Sequence, residues 1–103
     1  DAQAWLYRPE PEIHRIDFKQ SNAVRPSMFA QLAAYEDLAG CCGEEPSDFL
    51  TIAHFSPLGT CDLCSIAVGS EDHRRARLMF DAYLTIYRTT PQLAKLLKKK
   101  DPA

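Results

Sequence analysis

The segment after Ser70 carries apolar side chains at three- and four-residue steps, namely Ala76, Met79, Phe80, Tyr83, Ile86 and Tyr87, while Arg74, Arg75, Asp81 and Arg88 fall mostly on the other side. That period belongs to an amphipathic helix, because a strand would alternate such residues between its two faces. Ser70 is placed to cap the helix, and Glu71 and Asp72 fall in its first turn, where the dipole favours negative charge. A second stretch of helical period follows Pro26, with Ser27 as N-cap, Met28, Phe29, Leu32, Tyr35, Leu38 and Ala39 on one face, and Gly40 as the stop.

Two shorter helices complete this reading. Thr60 caps one over Cys61–Val68, which Gly69 breaks. Thr90 and Pro91 open another, since proline suits the first helical position, with Leu93, Leu96 and Leu97 inward, Lys95 and Lys98 to Lys100 outward, and Asp101-Pro102 as its end. Phe49 to Phe55 is ambiguous: Ser47 and Asp48 suit a helix cap, yet Phe49, Thr51, Ala53 and Phe55 alternate as in a strand. The expectation is a mostly α fold, a small single-domain bundle of four or five helices. Residues 1–25 form an extended arm holding Pro9 and Pro11, and residues 26–100 form the helical body. The alternative is α+β, with strands at Ile13–Phe18 and Phe49–Phe55 paired.

With 103 residues, 46% hydrophobic and 25% charged, the chain suits one globular domain able to bury a core without staples. No apolar run approaches the roughly 18 residues of a membrane span. Charge is uneven: ten acidic and four basic residues lie between Asp1 and Ser70, and four acidic and eight basic from Glu71 to Ala103. A basic segment on an acidic body suits an acidic protein, a phosphate backbone or simple solvation.

The cysteines carry the chemical signal. Cys41-Cys42 and Cys61-x-x-Cys64 have His54 and His73 near them in sequence. One reading is a structural zinc site of Cys42, Cys61, Cys64 and His73, with Cys41 or His54 as substitutes, because a Cys-x-x-Cys turn brings two sulfurs to one ion. A second is two disulfides joining Cys41 and Cys42 to Cys61 and Cys64. A third is redox catalysis, with Cys61 as a nucleophile activated at a helix N-terminus and Cys64 as the resolving thiol. A thioredoxin-like arrangement would also want a βαβ pattern around the motif, and the reading above gives none. The Asp-Ala-Gln-Ala start suits a cleaved signal peptide or a fragment boundary equally. The compartment follows the cysteines: cytoplasmic if metal-bound, periplasmic or secreted if disulfide-bonded.

The remaining candidates read as solvated surface. His14 lacks a sequence partner, His54 suits a hydrogen-bonded core position, and His73 is expected exposed beside Arg74 and Arg75. Glu36-Asp37 and Glu44-Glu45 read as solvated carboxylates. Thr90 to Leu97 resembles the first helix of a helix-turn-helix unit, with no recognition helix after it in the sequence. The function expected is a non-catalytic binding or regulatory protein stabilised by its cysteine cluster, with another protein as partner and Trp5, Tyr7, Phe18 and Tyr87 as aromatic anchors. The alternatives are a thiol–disulfide oxidoreductase, and a nucleic-acid accessory module touching phosphate through Arg74, Arg75, Arg77, Lys95 and Lys98 to Lys100.

Overall fold

The computed structural model describes residues 2–6, 11–21 and 23–100, the side chains of 2–6, 99 and 100 excepted. Its elements run β1 (Ala2–Leu6), β2 (Glu12–Gln20), α1 (Pro26–Cys41), β3 (Phe49–Phe55), β4 (Cys61–Ala67) and α2 (Glu71–Lys100). The strands form one sheet in chain order. β1 and β2 are antiparallel, as are β3 and β4, while β2 and β3 are parallel, with His14 opposite Phe49 and Phe18 opposite Ala53. Parallel neighbours need a crossover, and α1 provides it.

The helix-bundle expectation is therefore wrong, and the α+β alternative fits. The pairing of Ile13–Phe18 with Phe49–Phe55 is present within the longer β2 and β3. Cys61–Val68 is not a helix: residues 61–67 form strand β4 against β3. Leu50, Thr51, Ile52 and Ala53 are buried, so β3 lies inside the sheet and needs a neighbour on each side to satisfy its backbone. The turn Ser56–Thr60 folds β4 back: the Ser56 N–H donates to the Thr60 carbonyl at 2.9 Å, and Gly59 takes φ +84°. Most of the described part of the extended N-terminal arm is β1 and β2, paired into the sheet, while Tyr7, Pro9, Asp101 and Pro102 lie outside the described residues. Thr90-Pro91 starts no new helix, because α2 runs through it. The Thr85, Thr89 and Thr90 hydroxyls each donate to a carbonyl one turn back in the turns before the proline.

α1 starts at Pro26 with Arg25 as its N-cap, two residues earlier than a cap at Ser27 implies. It runs past Gly40 to Cys41 and closes on Gly43, at φ +83°. The Gly43 N–H donates to Gly40 and the Glu44 N–H to Ala39, a Schellman closure that favours glycine at this left-handed position. Leu32 and Ala33 of α1, Leu50 and Ile52 of β3 and Ala76 of α2 form the core, with Phe29, Ile66 and Val68 against it. Both helices thus lie on the same side of the sheet.

A buried ion pair fastens α1 to that side. Arg15 Nε donates to Glu36 Oε2 at 2.6 Å, and Arg15 also reaches Glu44 at 3.0 Å. Glu36 further accepts the Ser47 N–H at 2.7 Å and the Ser47 hydroxyl at 2.9 Å. Glu36 and Glu44, read from sequence as solvated, are thus partners of a buried arginine. Burial works against the Glu36 carboxylate, but the hydrogen bonds from Arg15 and Ser47 outweigh it and hold the carboxyl below its ordinary 4.5. Burial likewise opposes the Arg15 charge, and Glu36 and Glu44 more than offset it, so its pKa is raised.

A carboxyl whose folded pKa lies below its unfolded value stabilises the fold above the unfolded value and loses that contribution as pH falls through the folded one. Urea unfolding should therefore show stability declining as pH drops below about 4.5. Glu36→Gln should flatten that decline and remove about 3 kcal/mol at neutral pH, because Arg15 stays buried with a weaker partner.

Candidate interaction surface

The alternation of β2, β3 and β4 divides their side chains between two faces. Arg15, Leu50, Ile52, Cys64 and Ile66 face the helices, as their pairing across the strands requires. His14, Ile16, Phe18, Phe49, Thr51, Ala53, Phe55, Leu63 and Ser65 face the other way, where neither helix lies. Phe18 is 59% exposed, Leu63 58% and Phe55 40%. The Phe18 and Phe55 rings stack with centroids 6.2 Å apart. They border a shallow depression of about 610 Å³ that Pro57 and Gly59 also line.

Beside these aromatics, on the same face, runs a polar chain. Ser65 Oγ lies 2.7 Å from Thr51 Oγ1, which lies 2.7 Å from His14 Nδ1, and His14 Nε2 lies 3.0 Å from Glu12 Oε2. An ionised Glu12 only accepts, so Nε2 carries a proton toward it. In the neutral ring Nδ1 then accepts from Thr51, and Thr51 from Ser65. Phe49 stacks on the imidazole at 4.9 Å. His14, read from sequence as an ordinary surface residue, is only 5% exposed. The signal that would have placed it is the two-residue step Glu12, His14, Ile16, Phe18. The chain gives the buried side chains of His14 and Thr51 hydrogen-bond partners on this face.

The proposed cysteine chemistry is distributed differently. Cys41 ends α1, Cys42 caps it, and Cys61 and Cys64 lie on β4; all four are exposed free thiols. Three residues apart on a strand, Cys61 and Cys64 sit on opposite faces of the sheet. Cys61 is paired with Phe55 and Cys64 with Ile52. His54 bonds the Ser21 carbonyl. His73, expected exposed, is buried, and its Nδ1 accepts the Gly69 N–H at 2.9 Å. Among the described residues no three His, Cys, Asp or Glu side chains are grouped so as to hold a metal ion.

The expected basic surface is largely paired. Arg74 bonds Glu71, Arg75 lies 3.2 Å from Asp72, and Arg77 lies 3.0 Å from Asp37. Lys95 and Lys98 are exposed on the outer part of α2, and the Lys99 and Lys100 side chains lie outside the described ones. Of the aromatic anchors, Phe18 is on the open sheet face and Tyr87 on outer α2, while the Trp5 side chain and Tyr7 fall outside the description. Among the described residues no helix is long and apolar enough to cross a membrane. No protein family, curated protein or solved structure gives a match to this chain.

Residues three apart on a strand have Cα atoms about 10 Å apart, beyond the roughly 7 Å that a disulfide spans. Thiol titration of the native protein should find the exposed Cys41, Cys42 and Cys61 reactive without reductant. Mild oxidation followed by peptide mapping should yield no Cys61–Cys64 bond.

Proposed function

We propose that this chain is a non-catalytic binding module that presents the open face of its sheet to another protein. The observation that carries this reading is the exposure of Phe18, Phe55 and Leu63 together on one flat face that neither helix covers. Contiguous apolar surface of this kind is costly in water and is typical of contact sites. Aromatic side chains supply much of the affinity at such sites, since each contributes a large area with few rotatable bonds. The polar chain from Glu12 to Ser65, beside these aromatics on the same face, supports the role. Its members satisfy one another, so a partner can cover the aromatics without stranding a buried donor.

Phe18→Ser with Leu63→Ser tests this reading, because both positions are exposed and the core should tolerate the change. The variant should keep the circular dichroism spectrum of the native chain. A partner captured from cell extract on the immobilised native chain should bind the variant at least about tenfold more weakly, a loss of about 1.4 kcal/mol. A partner retained equally by both would remove the sheet face from the interaction.

A further inference from the structure

The sheet face leaves a second feature unexplained. α2 has 30 residues, about 45 Å of helix, in a molecule whose longest dimension is 67 Å. From Asp81 to Lys98 every residue except Leu84 is exposed. Yet this outer part is not polar all round. Ala76, Met79, Tyr83, Ile86, Thr90, Leu93 and Leu97 follow one another at alternating steps of three and four. That 3.5-residue period is the seam of a coiled coil, narrower than the stripe of a helix lying on a globular core. Asp81, Arg88 and Lys95 lie opposite it, and Pro91 is off the seam. A single helix interrupted by proline and bare on all sides is marginal in water, so its seam calls for cover.

Where the seam meets the body it enters a groove. Ala76 and Met79 line a cavity of about 420 Å³ together with Val24, Phe29, Cys64 and Ile66, and Arg25, Asp72 and Arg75 also border it. The groove and the free seam are thus one continuous apolar track.

We propose that the occupant of this track is α2 of a second copy of the chain, packed antiparallel. With Ile86 of one helix level with Thr90 of the other, the remaining layers fall into place. Tyr83 meets Leu93, and Met79 at the groove meets Leu97, each layer repeated by the two-fold axis. The flanking positions Phe80, Ala82, Tyr87, Thr89, Ala94 and Leu96 carry no charge, so nothing repels across the layers from Met79 to Leu97. Charge selects the direction. From Ala82 to Lys100 the helix has five basic residues and no acidic one. Parallel packing would align these two basic runs, whereas antiparallel packing carries each past Arg74, Arg75 and Arg77, which Glu71, Asp72 and Asp37 pair, toward the partner's net-negative body. This pairing is independent of the sheet-face reading and uses the opposite side of the molecule.

Sedimentation equilibrium and site-directed spin labelling on the full chain test it. The native protein should sediment at twice its 11.6 kDa in the micromolar range. Ile86→Asp with Leu93→Asp should make it monomeric and remove helical signal while the unfolding transition of the body persists. A spin label at Lys98→Cys, with Cys41, Cys42, Cys61 and Cys64 changed to Ser, should report about 30 Å between copies, twenty residues of helix rise. A parallel pair would instead hold the labels within about 15 Å, given its interaxial distance of about 10 Å. A monomer at about 100 μM retaining full helicity, or the short label distance, would overturn the proposal. So would a double Asp variant that stays dimeric. A monomeric native chain would leave the sheet-face reading untouched.

Discussion

The buried pairing of Arg15 with Glu36 determines how the layers of this fold meet. A parallel join between β2 and β3 requires the chain to leave the sheet, run back along one side and re-enter beside its starting strand. Nothing in that path fixes where the crossover helix sits unless side chains tie it down. Arg15 on β2 holds Glu36 on α1, and Glu36 in turn accepts both the N–H and the hydroxyl of Ser47, just before β3. One residue on, Asp48 exchanges backbone and side-chain bonds with Ile13 of β2. The exit strand, the helix and the re-entry point thus share one polar junction. Desolvating the charges opposes it, and the multiple hydrogen bonds recover that cost only in this geometry. Such a junction specifies arrangement more than it adds raw stability, and it directs α1 to one side of the sheet.

That junction was not legible in the sequence because its members look like surface residues. Glu36-Asp37 and Glu44-Glu45 are acidic pairs of the kind that solvated helices and turns carry, and no local pattern marks Glu36 as different. The features set by near neighbours were readable: Pro26 opening α1, Ser70 accepting the His73 N–H at 3.2 Å to cap α2, and the alternation of Phe49 to Phe55. The misreadings came where two periods coincide. Cys61 and Cys64 stand at a helical step, and Thr60 resembles a cap. The same segment also alternates Asp62, Cys64 and Ile66 against Leu63, Ser65 and Ala67, and pairing with β3 decides in favour of the strand. At Thr90-Pro91 the local preference for a helix start yielded to a helix already under way.

The same ambiguity bears on the chemical reading of the cysteines. Cysteine spacing implies a shared site only if the backbone between the residues turns. On β4 it is extended, so one thiol goes to each face: Cys64 lines the groove beside Ile66 and Cys61 joins the open face beside Phe55. On the open face the buried polar position belongs to a histidine, His14, marked in sequence only by the two-residue step of Glu12, His14, Ile16 and Phe18. His14 is recognisable only once β2 is known to be a strand and Thr51 its neighbour across the parallel ladder.

The two surfaces that emerge are set apart by the layering itself. Both helices pack on the Leu50 and Ile52 side of the sheet, so the α2 seam and its groove lie on that side, and Phe18, Phe55 and Leu63 lie on the other. A contact made along α2 need not obstruct a contact made on the sheet. If two copies join through α2, each pair displays two open sheet faces, held at a separation fixed by rigid helices rather than by a flexible linker. Two linked weak sites bind a partner that carries two matching epitopes far more tightly than either alone, provided the geometry lets both engage. A small domain with few anchoring aromatics per face would gain most from that arrangement. The length of α2, larger than the body needs for its own core, is then the element that sets the spacing.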